Sequence, residues 1–142
     1  MNTVSSILAR KGTMAIGVTP ETSVLDALKI MSEKNIGSVV VVKDGNYHGI
    51  ITERDYSRKI ILKGKHSSET RVSEIMSTDL PAVQPSDSID HCMELMTANN
   101  IRYMPVFDKG KLAGIISMSD VVKETILMQK ETINHLQNYI NS

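Results

Sequence analysis

Two short segments of this sequence combine residue types suited to holding a phosphate and a sugar diol. They read Gly49-Ile50-Ile51-Thr52-Glu53-Arg54-Asp55 and Gly114-Ile115-Ile116-Ser117-Met118-Ser119-Asp120. In each, an apolar run ends at a hydroxyl residue, and an Asp follows three positions later. Thr/Ser-x-x-Asp is first of all a helix start: the hydroxyl accepts from a first-turn amide, and the acid suits the positive end of the helix. Taken alone, each segment reads as a cap. The same geometry has a second use, because first-turn amides suit a phosphate and a carboxylate can accept from two vicinal hydroxyls such as those of a ribose. Arg54 and Ser119 hold equivalent places, so each segment offers a phosphate donor of a different kind. Arg58, one turn beyond Arg54, continues a basic cluster with Lys59, Lys63 and Lys65. Arg54 and Arg58 read as polyphosphate contacts, Lys63 and Lys65 as solvated surface.

No catalytic constellation accompanies these turns. The sequence has no G-x-S-x-G, no Walker loop and no G-x-G-x-x-G. His48, His66, His91 and His135 are scattered without metal-ligand spacing. Cys92 falls on the apolar face of a helical pattern and reads as core. No enzymatic activity is expected.

The elements that must position the two turns follow from an internal repeat. Shifted by 65 residues, positions 18–58 fall on 83–123 without a gap, and 12 of the 41 pairs are identical, against roughly 2–3 expected by chance from average composition. Upstream, Val4-Ser5-Ser6-Ile7-Leu8 matches Val72-Ser73-Glu74-Ile75-Met76 at an offset of 68, so the first copy carries about three extra residues near Arg10 and Lys11. Val24, Leu25, Leu28 and Met31 recur at helical spacing, as do Ile89, Cys92, Met93 and Met96. Ser23 and Ser88 read as the caps of these helices. Buried strands follow at Val39–Val42 and Met104–Phe107, then hairpin turns at Lys43–Asn46 and Asp108–Lys111, then strands at 48–52 and 113–117. Pro105 lacks a donor, which predicts an edge or an irregular strand there. Each copy is therefore strand, helix, strand, strand, helix. The fold class is α+β, with two such repeats expected to pack as a pseudo-two-fold pair. The division reads as 1–64, a polar linker at 65–71, a second repeat at 72–125 and a helical extension at 126–142. In that extension Ile126, Ile133, Leu136 and Ile140 lie at heptad-compatible spacings, but Gln129 interrupts them. The periodicity leaves open whether this stripe packs on its own domain or on a second copy.

The 16 Lys+Arg balance the 16 Asp+Glu, which speaks against a nucleic acid or an anionic membrane as partner. With no Trp and one Phe, stacking platforms for single strands are scarce. No apolar run reaches the ~20 residues of a membrane span. One cysteine and no apolar leader in residues 1–12 predict a reducing, cytoplasmic setting.

The 65-residue tandem repeat, the Gly-Ile-Ile-(Thr/Ser)-x-x-Asp turns and Ile101-Arg102-Tyr103-Met104-Pro105-Val106 resemble the CBS-domain pair, the regulatory module named after cystathionine β-synthase and also found in IMP dehydrogenase. The resemblance spans roughly 4–125. It implies an intramolecular pair, usually assembled as a homodimer, whose clefts bind adenine nucleotides such as AMP, ADP, ATP or NAD with no obligatory cofactor. It further implies that Asp55 and Asp120 hold the ribose, and that Thr52, Arg54, Arg58, Ser117, Ser119 and Arg102 serve phosphate or hydroxyl groups. The adenine would lie against Thr13, Ile16, Ile36, Gly37 and Ser38 and against Thr78, Pro81, Ile101 and Tyr103, with Thr13 and Ile16 facing Asp120, and Thr78 and Pro81 facing Asp55. Many nucleotide-binding members carry His-Arg where this sequence has Arg102-Tyr103 and Gly37-Ser38, so the resemblance does not require the two copies to share one phosphate chemistry. The implied role is a non-catalytic sensor acting on an unknown protein target or on its own oligomer. The alternatives are an interaction module with empty clefts and an S-adenosylmethionine binder, the latter disfavoured by Arg54 and Arg58.

Overall fold

A computed structural model describes residues 2–12 and 15–141. The chain forms two compact units. One comprises Met14–Leu80; the other joins Met1–Thr13 to Pro81–Ser142.

In the 14–80 unit, β1 (Gly17–Val18) runs parallel to β2 (Ser38–Lys43), and β2 pairs antiparallel with β3 (Asn46–Thr52). Helix α2 (Val24–Lys34) is capped by Ser23, whose hydroxyl accepts from the Asp26 amide at 3.1 Å. It ends at Asn35 in the left-handed region, as helices often do when a short polar side chain tolerates positive φ. The β2–β3 hairpin turns through Asp44 and Gly45, both at positive φ, the requirement of a two-residue loop matched to strand twist. A four-residue helix, α3 (Glu53–Tyr56), follows β3 directly and runs into a π-helical turn at Ser57–Ile61. Val18, Val24, Ala27, Met31, Val39, Val41, Ile51 and Ile60 form the core together with Val72 and Ile75. The polar 65–71 segment is tied down as well: the Ser67 and Thr70 carbonyls accept from the Leu25 and Val24 amides at the start of α2.

The second unit repeats the plan with α4 (Ile89–Asn99), β4 (Tyr103–Asp108), β5 (Lys111–Ser117) and α5 (Met118–Asn141), preceded by α1 (Val4–Lys11). The Ser88 cap, the left-handed Asn100 and the Lys109–Gly110 turn mirror their counterparts 65 residues earlier. Even the β-bulge recurs, at Val41/Val42 and at Val106/Phe107.

The first strand of the second repeat shrinks to a single bridge, Val83 with Val106. The cause is Pro105. In the first repeat the Val40 amide donates to the Ile16 carbonyl; Pro105 stands at the position of Val40 and has no proton to give. The expected local irregularity is therefore found beside this strand, in its missing partner.

Packing divides the chain differently from the repeat boundaries in the sequence. Helix α1 precedes the first repeat but joins the core of the second, where Val4, Ile7 and Leu8 meet Val83, Ile89, Met104 and Val121. Val4 and Ser5 donate to the Asp87 and Pro85 carbonyls at 2.9 Å each. The turn Val72–Glu74 precedes the second repeat and does the same in the first unit: Val72 and Ser73 donate to the Thr22 and Pro20 carbonyls. The two repeats thus exchange their lead-in segments.

Candidate functional site

Each strand-to-helix turn is built by its strand ladder. Ser38 pairs with Thr52 across β2 and β3, and Tyr103 pairs with Ser117 across β4 and β5. The Gly37 carbonyl accepts from the Glu53 amide at 3.1 Å, and the Arg102 carbonyl accepts from the Met118 amide at 2.8 Å. These bonds bring Ile36-Gly37-Ser38 beside Thr52 and Asp55, and Ile101-Arg102-Tyr103 beside Ser117 and Asp120.

Both aspartates close capping boxes. Asp55 Oδ2 accepts from the Thr52 amide at 3.0 Å and from Thr52 Oγ1 at 2.9 Å. Asp120 Oδ2 accepts from the Ser117 amide at 2.9 Å, while Ser117 Oγ accepts from the Asp120 amide at 3.1 Å. The capping reading is therefore realised at both turns, and the question becomes what else each carboxylate does.

Asp55 is fully engaged. It is buried, Ser77 Oγ donates to its Oδ1 at 2.9 Å, and Lys59 Nζ lies 3.0 Å from the same oxygen. Lys59 also donates to the Ile75 carbonyl at 2.8 Å, which anchors the π-helical turn to the lead-in segment. Asp120 is half-buried and held by an ammonium instead: Lys11 Nζ donates to Oδ2 at 2.7 Å and to the Ile115 carbonyl at 2.9 Å. Burial alone would raise the Asp120 pKa, but the bonds from Lys11 and Ser117 outweigh it and hold the carboxyl below its ordinary range.

The repeat explains the pairing. In the 14–80 unit Ser77 donates twice, its amide to the Ile50 carbonyl at 2.8 Å and its hydroxyl to Asp55. Ile115 and Asp120 are the equivalents of Ile50 and Asp55, and there one ammonium, Lys11 Nζ, supplies both donors. The extra residues near Arg10 and Lys11 are what bring it there. Glu124, at the position of Lys59, is buried and takes bonds from Arg10 and Asn2 rather than from within its own helix. A buried carboxylate survives only with such partners.

The remaining candidates separate. Arg54 is half-buried, while Arg58 lies exposed on the π-helical turn. Ser119 and Arg102 are exposed beside Asp120. Ile16 and Thr78 are exposed and Pro81 half-buried; the residue that reaches Asp55 is Ser77, the neighbour of Thr78. Thr13 lies outside the described residues. Cys92 is core, and burial pushes its thiol up to about 11, out of reach of thiolate chemistry at neutral pH. Three residues that matter here, Lys11, Lys59 and Ser77, were not singled out by residue type. Lys59 had a signal in its i,i+4 spacing from Asp55, and Lys11 in the surplus of the first lead-in.

A repeated fold with two matching Asp-bearing turns defines a class of tandem modules, and comparison with known proteins identifies it. The CBS domain family model matches twice, at 13–62 and 72–126. The chain belongs to the CBS-domain family. It is 40% identical over 147 residues to a mitochondrial CBS domain-containing protein, CBSX3, from Arabidopsis thaliana, covering 97% of this chain and 71% of that one. A solved structure of a protein with CBS domains from Burkholderia ambifaria superposes with a TM-score of 0.85 at 46% identity, covering 89% of this chain and 95% of that one. Inosine-5'-monophosphate dehydrogenase from Thermoplasma acidophilum is 32% identical over 106 residues, but the match takes in 74% of this chain and only 20% of the enzyme. The likeness to that enzyme is confined to a small part of it.

Proposed function

We propose that this chain is a non-catalytic sensor of adenine nucleotides, AMP, ADP, ATP or NAD, with the ribose diol bound by Asp120 and, in the other repeat, by Asp55. The observation that carries the reading is the state of Asp120. It is an ionised, half-buried carboxylate at a helix start, and besides the Ser117 amide its Oδ2 is held by one partly exposed ammonium that a diol can replace. Two hydroxyls donating to a carboxylate form charge-assisted bonds of about 1.5–3 kcal/mol each. Asp55 has to give up Ser77 or Lys59 to do the same, so the Asp120 turn binds first and more tightly.

The phosphate end differs between repeats. Arg54 offers a guanidinium in the first, Ser119 a hydroxyl in the second, so longer phosphate chains favour the Asp55 turn and AMP the Asp120 turn. Binding at either turn disturbs the lead-in segment that Lys11 or Ser77 anchors, which gives the signal a route to a protein target or to a neighbouring copy. We read the setting as cytoplasmic, a reading that the single, buried cysteine supports. Calorimetric titration with AMP, ATP, NAD and 2',3'-dideoxyadenosine monophosphate, with native mass spectrometry for co-purified nucleotide, tests this. AMP should bind without turnover, and the dideoxy analogue should bind at least tenfold more weakly. Equal affinities would remove the diol, and with it the role of both aspartates.

A further inference from the structure

Helix α5 is 24 residues long, but only its first half touches its own unit. Val121 and Glu124 are buried, Met128 packs on the core edge, and every described residue from Gln129 onward is exposed. The exposed residues are not a polar surface. Val122, Ile126, Ile133, Leu136 and Ile140 stay 43–77% exposed. At about 100° per residue, these five and Gln129 fall within a strip roughly 80° wide, turned about 125° away from Val121, Glu124 and Met128. The stripe that the sequence left open therefore does not pack on its own domain.

We infer that this stripe pairs with the same stripe of a second copy as a parallel two-stranded coiled coil. The steps between its residues run four, three, four, three, four, a heptad seam rather than the broader face a helix lays on a globular surface. Ile126, Ile133 and Ile140 occupy the a positions, and Val122, Gln129 and Leu136 the d positions. β-Branched residues at a with Leu at d favour two parallel strands; here Ile fills every a position and Leu136 one of the three d positions.

Direction is decided by Gln129. In a parallel pair it meets the partner's Gln129, and the two amides hydrogen-bond each other. In the antiparallel pair that matches the stripe end to end, each Gln129 faces an Ile133 and buries its amide unsatisfied, a cost of about 1–3 kcal/mol per group. That arrangement also sets Lys130 beside its own copy. The parallel pair keeps the flanking Lys123 and Lys130 opposite uncharged neighbours. Two such stripes together cover on the order of 1,000 Å², the lower bound of a specific interface. An exposed helix end this short is marginal in water without such cover. This inference does not depend on the nucleotide reading.

Single cysteines in a Cys92→Ala background test it. Under mild oxidation, Leu136→Cys should give a near-complete disulfide-linked dimer and Asn134→Cys, on the outer face, almost none. Adding Ile133→Glu to Leu136→Cys should lower the cross-linked yield tenfold or more at the same concentration; positions 133, 134 and 136 are all exposed, and the fold of the Cys92→Ala background is checked by circular dichroism. Equal cross-linking at 134 and 136, no cross-linking at 136, or a purified wild-type protein that scatters light as a 15.7 kDa species would overturn the proposal.

Discussion

Lys11 reaches Asp120 across 109 positions of sequence, at 2.7 Å from Oδ2, and its ammonium does in one repeat what the amide and hydroxyl of Ser77 do in the other. This ties the N-terminal helix to the carboxylate proposed to bind ribose. A diol and an ammonium compete for the same oxygen, so the fraction of molecules with Lys11 displaced scales the apparent affinity.

Lys11→Ala should therefore tighten AMP binding several-fold, because a partly exposed ion pair of this kind is worth up to about 1 kcal/mol. The same substitution should lower the thermal midpoint slightly. Titration calorimetry alongside thermal melts checks both; weaker binding would mean that Lys11 assists the ligand instead of excluding it.

The Asp120 pair also sets an acid limit. Its folded-state pKa lies below the unfolded value, so the stability it contributes is fully present above the unfolded pKa of about 3.9 and is lost as pH falls through the folded one. Thermal melts between pH 7 and pH 3 should show a decline below about pH 4 that is shallower in Asp120→Asn, which keeps a capping acceptor and loses the charge.

Gly49 sits where a backbone passes too close for a side chain. A Cβ there would lie 2.7 Å from the Ser77 carbonyl oxygen, itself bonded by the Ile50 amide at 3.0 Å. Gly49→Ala should cost about 1–3 kcal/mol, and it should loosen Ser77 from Asp55. Denaturant unfolding reads the first effect; faster hydrogen exchange at the Ser77 amide reads the second.

Much of this was legible in the sequence because a repeat states its fold twice. The Asp44-Gly45 and Lys109-Gly110 turns, the Ser23 and Ser88 caps and the strand-to-helix turns all lie where spacing put them. Lys11, Ser77 and Glu124 were not legible as a site. Their contacts depend on the exchange of lead-in segments, and short-range periodicity carries no information about partners 22 to 122 positions away. The lost strand at Val83 was half legible: Pro105 announced a missing donor, but only the Val40–Ile16 bond in the other repeat shows which pairing that donor would have made.

Pro105→Val should accordingly restore that pairing. The variant should show a newly protected amide at position 105 in hydrogen exchange, and a gain of about 0.5–1.5 kcal/mol if the bond forms without strain. An amide at 105 that exchanges as fast as in an open loop would mean that other features of the segment keep the strand short.

The central claim is that Asp120 holds a nucleotide's ribose. Calorimetric titration of AMP into wild type, Asp120→Asn and Asp120→Ala tests it most directly. The account predicts micromolar or tighter binding to wild type, and at least tenfold weaker binding at that turn in both variants, with Asp120→Asn folded and capped as before. Unchanged affinity in Asp120→Asn and Asp120→Ala would contradict it and leave Asp120 as a helix cap alone.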